Sequence, residues 1–406
     1  MFAMFSASVL VPALLGINPA IVLLMNGVGT LLFILITKGK SPAYLGSSFA
    51  FIAPAGIIIA AKTMGYQYAL GGFVVVGAVI CAVAIIIRFF GTKWIDVLLP
   101  PAAMGAVVAL IGLTLSTNAA QMGGIIVSST FKTIEWQNVV VFIVTLAIAV
   151  FGSVLFRKFF AVIPILIAIL SGYLISWPLG LFNTQKGIDT INAIKNAPWF
   201  ALPNFQTPVF SPSAIAIVLP AALVVISEHI GHQLITSKIV GRDLIKDPGL
   251  HRSLFADGIS TMISGFCGSV PTTTYGENIG VMAITKVYSV QVIGGAAVIS
   301  MIFAFIGKIS AAIQSIPGPV MGGVSFLLYG MIAASGIRVL VDAKVDYSKS
   351  RNLALTSVVL VTGLSGAFIQ LGQVQLTGMA LATVVGMALS LIFYFIDRFH
   401  LSNDED

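Results

Sequence analysis

The sequence predicts an all-α polytopic membrane protein of fourteen transmembrane segments arranged as two inverted seven-helix repeats. Three observations predict it: an apolar composition, long unbroken apolar stretches, and a one-sided distribution of basic residues. Of 406 residues, 58% are hydrophobic and 9% charged, more apolar surface than a water-soluble domain can cover. That balance excludes an ordinary soluble enzyme. Stretches such as 20–37 and 69–87 run without the apolar–polar alternation of a barrel strand, so helices are expected. At roughly 20 residues per spanning helix, the length has room for about 12 to 14 spans.

Taken in order, the apolar windows place spans near 1–15, 20–37, 43–60, 68–89, 95–114, 138–155 and 160–180. The second half continues at 213–237, 254–269, 275–290, 292–307, 316–336, 353–370 and 377–396. A turn at Asn18-Pro19 separates the first two, Lys38 and Lys40 close the second, Arg88 and Lys93 the fourth, and Arg157 and Lys158 the sixth. Of the 21 lysines and arginines, only Lys62, Lys132, Lys186, Lys195 and Lys308 fall in one set of alternate loops, leaving sixteen in the other. Basic loops stay in the cytoplasm, so both termini are expected there. A missed or extra helix would swap every later loop and scramble this bias, so the split also supports the count. The first span, about 15 residues from Met1 to the turn, is short for crossing the hydrocarbon core, and further N-terminal residues are expected before it. No cleavable signal peptide is expected, since the stretch from Met1 to Leu15 lacks a basic leading region.

The net charge of +7 is scattered in ones and twos between apolar blocks, so it reads as topology and not as a nucleic-acid surface. Cys81 and Cys267 each lie within an apolar segment. They read as packing residues, with no disulfide or metal site implied.

The halves carry traces of one pattern. Pro100, Met104, Gly105, Val107 and Leu110 match Pro317, Met321, Gly322, Val324 and Leu327 at a constant offset of 217. With an odd number of spans per half, the second copy enters the membrane from the opposite side, an organisation typical of transporters. The third and tenth spans correspond and are both poor continuous helices. Ser41-Pro42-Ala43-Tyr44-Leu45-Gly46-Ser47-Ser48-Phe49 opens one, and Ser269-Val270-Pro271-Thr272-Thr273-Thr274-Tyr275-Gly276 precedes the other. Short extended stretches leading into half-helices are expected there. Irregular backbone at membrane depth is tolerated where it lines a cavity, which points to a substrate site.

Most acids sit in loops or in the tail Asp404-Glu405-Asp406, but Glu228 and Glu277 lie within apolar spans. An ionisable group there costs at least about 2.5 to 3.5 kcal/mol on insertion scales, so it is a functional candidate. Glu228 and His232 stand at i, i+4 on one helix face while His229 points away. A carboxylate beside an imidazole can exchange a proton near neutral pH, so this pair is the candidate for proton coupling. The order Glu-His-x-x-His differs from the metalloprotease helix, and no metal is expected. Glu277 at the start of a half-helix can stay ionised beside free backbone N–H groups and suits a ligand that offers N–H donors. Asp257 reads as an N-cap or solvent-facing residue near the entrance of the ninth span.

The run Glu277-Asn278-Ile279-Gly280-Val281-Met282-Ala283-Ile284-Thr285-Lys286 resembles the signature of the nucleobase-ascorbate transporter family, in which Gln, Glu or Pro precedes Asn-x-Gly and Thr follows after four residues. The resemblance covers essentially the whole chain. The segments 43–51, 228–232 and 273–278 are similar to those of bacterial uracil–proton symporters, and Glu at the signature's first position fits that group better than purine or ascorbate carriers. In relatives a Gln-His pair usually precedes the stretch corresponding to Phe2-Ala3-Met4-Phe5, and Met1 stands at the position after it.

The resemblance implies a core domain of spans 1–4 and 8–11 (residues 1–90 and 213–310) and a gate domain of spans 5–7 and 12–14 (residues 91–212 and 311–406). It further implies a homodimer through the gate domains in a bacterial cytoplasmic membrane, with no cofactor and a proton as coupling ion. By the same resemblance Glu228 and Glu277 would hydrogen-bond uracil, and backbone groups at Phe49 and Gly276 would complete its polar edge. Phe49, Tyr275 and Tyr329 would flank the ring, Ser48 and Ser325 would lie close by, and His232 would assist Glu228 in proton coupling. Xanthine or purine transport, anion exchange and a membrane metallohydrolase are the alternatives.

Overall fold

The computed structural model describes residues 5–61, 64–127, 132–371 and 374–402. Met1 to Met4, Lys62 and the acidic tail 404–406, on which parts of the sequence reading fall, lie outside the described residues.

The first half opens with α1 (Phe5–Leu15) and α2 (Pro19–Ile36), and Asn18 caps α2 by accepting the Ala20 N–H at 2.9 Å. Strand β1 (Leu45–Ser47), a 3-10 turn (Phe49–Phe51) and α3 (Ile52–Ala60) replace a continuous third span. There follow α4 (Tyr66–Phe90), the short α5 (Lys93–Leu98), α6 (Pro101–Met122), α7 (Trp136–Leu155), α8 (Pro164–Ser176) and α9 (Gln185–Asn196). The second half runs through α10 (Pro212–Val218), α11 (Ala221–Val240), α12 (Leu250–Cys267), β2 (Thr272–Thr274) and α13 (Gly276–Thr285). It ends with α14 (Val290–Ala304), α15 (Gly307–Gln314), α16 (Gly318–Asp342), α17 (Ser350–Leu364), the hairpin β3 (Phe368–Leu371) and β4 (Val374–Thr377), and α18 (Gly378–Arg398).

Among the described residues, seven helices are long and apolar enough to cross a membrane, with α10 and α11 taken together. Shorter apolar helices, among them α8, α14 and α17, accompany them. The expected span boundaries move where backbone chemistry overrides hydropathy. Pro100 and Pro101 start α6 later than the apolar window does, since proline suits a first helical turn and lacks the N–H an interior position needs. Pro220 divides the eighth span into α10 and α11. Gly366, at φ +73°, stands between α17 and β3, so the thirteenth span is shorter than its apolar window and a strand hairpin follows it. The amphipathic α9 lies between the seventh and eighth expected spans, in a stretch whose sequence predicts only a loop.

Packing pairs α6 with α16, α4 with α12, and α2 with α14. Exchanging the two halves turns the α4–α12 pair into the α2–α14 pair and leaves α6–α16 and β1–β2 as they are. Small residues set the close approach. A Cβ on Gly77 would lie 2.7 Å from the Gly258 carbonyl, and one on Gly258 2.8 Å from the Gly77 carbonyl, so α4 and α12 meet backbone to backbone. On α16 the Cβ absent from Gly336 would fall against the Ala109 backbone of α6.

Candidate functional site

The site grows from two strands that cross between the halves. β1 and β2 pair antiparallel with Leu45 opposite Thr274, Gly46 opposite Thr273 and Ser47 opposite Thr272. A two-stranded sheet leaves its outer edges unpaired, and in a bilayer those groups need partners within the protein. Side chains supply them. The Leu45 N–H donates to Thr30 Oγ1 at 2.9 Å, and Thr261 Oγ1 donates to the Thr272 carbonyl at 2.9 Å. At the ends, Ser48 N–H donates to the Pro271 carbonyl at 2.9 Å and Tyr275 N–H to the Tyr44 carbonyl at 3.2 Å.

Each strand aims a helix N-terminus toward the middle of the protein. β1 passes through Ser48 into the 3-10 turn at Phe49, and β2 passes through Tyr275 into α13, whose first turn holds Glu277. The exposed backbone N–H groups and dipoles of such ends favour polar or anionic ligand atoms. Helix α11, which packs against β2, α13 and the 3-10 turn, brings Glu228 and His232 to the same place. Glu228 stands one turn before His232 on this helix, and α11 packs against α13, whose first turn carries Glu277. His232 Nδ1 bonds Thr274 Oγ1 at 3.1 Å, and a Cβ on Gly276 would lie 3.3 Å from His232 Nε2. The imidazole therefore rests on the half-helix N-terminus. Gly276 is exposed between buried Tyr275 and buried Asn278, while Glu228, His232 and Glu277 are half-buried. The start of α13 is thus accessible from outside the chain.

Aromatic side chains pack at the two strand ends. The Tyr275 hydroxyl meets Ser47 Oγ at 3.0 Å and the Ser47 carbonyl at 3.2 Å, which lays its ring across Gly46. Phe49 stands edge-on to Tyr329 of α16, with centroids 5.9 Å apart at 85°. Ser48 is buried beside Phe49. Ser325, one turn before Tyr329, is buried too, but its hydroxyl turns back to the Met321 carbonyl at 2.5 Å. His232 on α11 thus meets Gly276 and Thr274, Glu228 and Glu277 lie on the two helices so joined, and Phe49 meets Tyr329.

Two expectations change. Asp257 is fully buried and not a solvent-facing cap. Its Oδ2 meets His229 Nδ1 at 3.0 Å and accepts from Thr273 Oγ1 at 3.4 Å. His229, set aside because it points away from Glu228, is thereby the histidine bonded directly to a carboxyl, whereas His232 bonds Thr274. A sequence signal existed: Ser253, Asp257, Ser260, Thr261 and Ser264 form a polar stripe at helical spacing along α12, the mark of a face buried against other polar groups. Among the described residues, no group of three or more His, Cys, Asp or Glu is disposed to hold a metal ion.

The Permease family model Xan_ur_permease matches residues 1–372. The uracil permease of Escherichia coli strain K12 is 58% identical over 396 residues, which cover 98% of this chain and 90% of that protein. The uracil permease of Bacillus subtilis strain 168 is 49% identical over 401 residues, 97% of this chain and 90% of that protein. Among solved structures, the transmembrane domain of the cyanobacterium bicarbonate transporter BicA superposes with TM-score 0.60 at 15% identity, over 96% of this chain and 95% of that one. The SLC26A9 structure gives TM-score 0.70 at 14% identity over 98% of this chain, which spans 65% of the length of that protein. At such identities the likeness is one of fold, and fold alone does not carry a substrate. The full-length relatives and the match over residues 1–372 agree with the signature at Glu277 to Thr285, and the chain belongs to the Permease family of multi-pass membrane transporters.

Proposed function

We propose that the chain is a uracil–proton symporter that imports uracil across a bacterial cytoplasmic membrane by alternating access. The observation that carries the reading is the meeting of two elements, α13 with Glu277 in its first turn and α11 with Glu228 and His232, where the His232 ring rests on Gly276, in a chain 49 to 58% identical to uracil permeases. A pyrimidinedione presents two ring N–H donors and two carbonyl acceptors. Glu228 and Glu277 accept from the donors, and backbone N–H groups at Phe49 and Gly276 meet the carbonyls. Phe49, Tyr275 and Tyr329 flank the ring, with Ser48 and Ser325 beside it. Glu228 carries the coupled proton with His232 as its assistant, and no cofactor besides the proton is needed.

In this reading fourteen spans form a core domain (residues 1–90 and 213–310) and a gate domain (residues 91–212 and 311–406), and both termini are cytoplasmic. The symmetric packing pairs support the two-repeat organisation. The edge contact of Phe49 with Tyr329 spans the core–gate boundary and breaks or re-forms as the core moves. The protein pairs as a homodimer through its gate domains. One proton crossing 100 mV releases about 2.3 kcal/mol, which at 1.36 kcal/mol per decade sustains roughly 50-fold accumulation of a neutral solute. Transport of xanthine or another purine is the second reading within the family. The fold shared with anion transporters favours no anion here, because two carboxyls stand in the proposed site.

The test is uptake of labelled uracil into proteoliposomes under an imposed inward proton gradient, with and without a proton ionophore. Accumulation collapses with the ionophore. Glu228→Gln abolishes the accumulation, and a mutant that still follows the proton gradient refutes the coupling role.

A further inference from the structure

His229 and Asp257 lie outside the proposed site and are both fully buried, yet they join three elements that build it. His229 follows Glu228 on α11, Asp257 belongs to α12, and Thr273, which donates to Asp257 Oδ2 at 3.4 Å, is the central residue of β2. His229 is held at both nitrogens, by Asp257 Oδ2 at 3.0 Å on Nδ1 and by Ser253 Oγ at 3.0 Å on Nε2. Ser253 also donates to the Leu250 carbonyl at 3.1 Å. With its single hydrogen so directed, Nε2 carries the hydrogen of the His229–Ser253 bond, and Nδ1 and Asp257 share one further proton. A pair that shares one proton brings no net charge into the bilayer, which fits its complete burial. The rest of β2 is gripped as well: Thr272 Oγ1 meets Ser260 Oγ at 2.6 Å, and Thr274 Oγ1 meets His232 Nδ1 at 3.1 Å. Every side chain of the strand that leads to Gly276 and Glu277 is therefore pinned to α11 or α12.

We infer that His229 and Asp257 act as a positioning dyad for the binding site, fixing through Thr273 the placement of the α13 N-terminus against Glu228. Neither residue touches substrate. The pair sets the separation of the two carboxyls by bonding the helix that carries Glu228 to the strand that leads to Glu277. A one-ångström loosening there weakens recognition of a small rigid ligand, because such a ligand cannot follow both groups.

The inference rests on the proposed base-binding role of the site, so purified protein is tested with labelled uracil and labelled xanthine as probes. Binding of uracil by the wild type upholds uracil as the ligand of the site. Binding of xanthine alone refutes it while leaving the dyad to be decided with xanthine, and binding of neither refutes both. His229→Gln, Asp257→Asn, the double variant and Thr273→Val are measured for affinity and thermal midpoint. Thr356→Val serves as control, since it removes another buried interhelical bond, from Thr356 Oγ1 to the Ala102 carbonyl at 3.2 Å, far in sequence from the site. Each dyad variant is expected to lower affinity at least tenfold, and the double variant no more than the worse single one, because the two residues act as a unit. Thr273→Val keeps the dyad and severs only the link to the strand; it lowers affinity at least threefold. Thr356→Val lowers the thermal midpoint and leaves affinity within twofold. Dyad variants that behave like Thr356→Val overturn the inference. If the dyad variants do not fold, Thr273→Val decides, and unchanged affinity in that variant overturns it.

Discussion

Gly46→Ala tests whether the strand crossing sets the binding geometry. A Cβ built on Gly46 falls within the ring of Tyr275. The ring cannot easily withdraw, because its hydroxyl is held by Ser47 Oγ at 3.0 Å and by the Ser47 carbonyl at 3.2 Å, while the Tyr275 N–H donates to Tyr44 at 3.2 Å. Either the ring leaves Ser47 or the strands separate at the Gly46–Thr273 pair. Both routes displace Tyr275, the N-cap of α13, and with it Gly276 and Glu277. Overpacking of this kind costs about 1 to 3 kcal/mol. If that strain is relieved by moving the site, affinity falls about 5- to 140-fold at 1.4 kcal/mol per decade. Equilibrium binding of labelled uracil to purified protein reads the effect directly. Gly56→Ala on α3, where a Cβ meets nothing within 4 Å, is the matched control and leaves affinity unchanged. Gly46→Ala with an affinity within twofold of wild type, in folded protein, refutes the reasoning.

Phe49→Ala removes the edge contact with Tyr329 and the ring proposed to flank the base; aromatic pairs contribute about 0.5 to 1.5 kcal/mol beyond burial, so uracil affinity falls at least twofold, read in the same binding assay. Thr30→Val leaves the Leu45 N–H without the acceptor it has at 2.9 Å. An orphaned buried donor costs about 1 to 3 kcal/mol, and the thermal midpoint of the purified protein drops accordingly. A cysteine placed at Gly276, in a background with Cys81 and Cys267 replaced by alanine, reacts with a water-soluble thiol reagent because position 276 is exposed. Bound uracil slows that reaction, and labelling at an unchanged rate would remove position 276 from the site.

The membrane class, the approximate places of the apolar segments and the candidacy of Glu228 and Glu277 were legible in the sequence. Each follows from a rule with one dominant energy. Apolar length is read against the bilayer, and an ionisable group inside an apolar span stands out because it is expensive there. The breaks at 41–49 and 269–276 were equally legible, since proline and glycine at membrane depth alter the backbone whatever surrounds them. The structure places β1 and β2 within those stretches. The likeness of Pro100 to Leu110 and Pro317 to Leu327 has its counterpart in α6 and α16, which pack on one another.

What the tertiary structure alone decided is which polar side chains meet. Asp257 read as a cap because local sequence offers an aspartate no other partner; His229, 28 positions earlier, reaches it only when α11 and α12 pack together. Tyr275 finds Ser47 across 228 positions, and Ser41 finds Gln233 across 192. Ser325, chosen by resemblance, turns its hydroxyl to its own helix, a rotamer choice that spacing does not encode. Hydropathy sums over many residues and survives errors of one or two positions, whereas a hydrogen bond depends on the placement of two atoms to within a fraction of an ångström. The sequence by itself therefore determined that this chain lives in a membrane and where its ionisable groups enter the bilayer. The packing of α11, α12 and β2 decided how those groups are held.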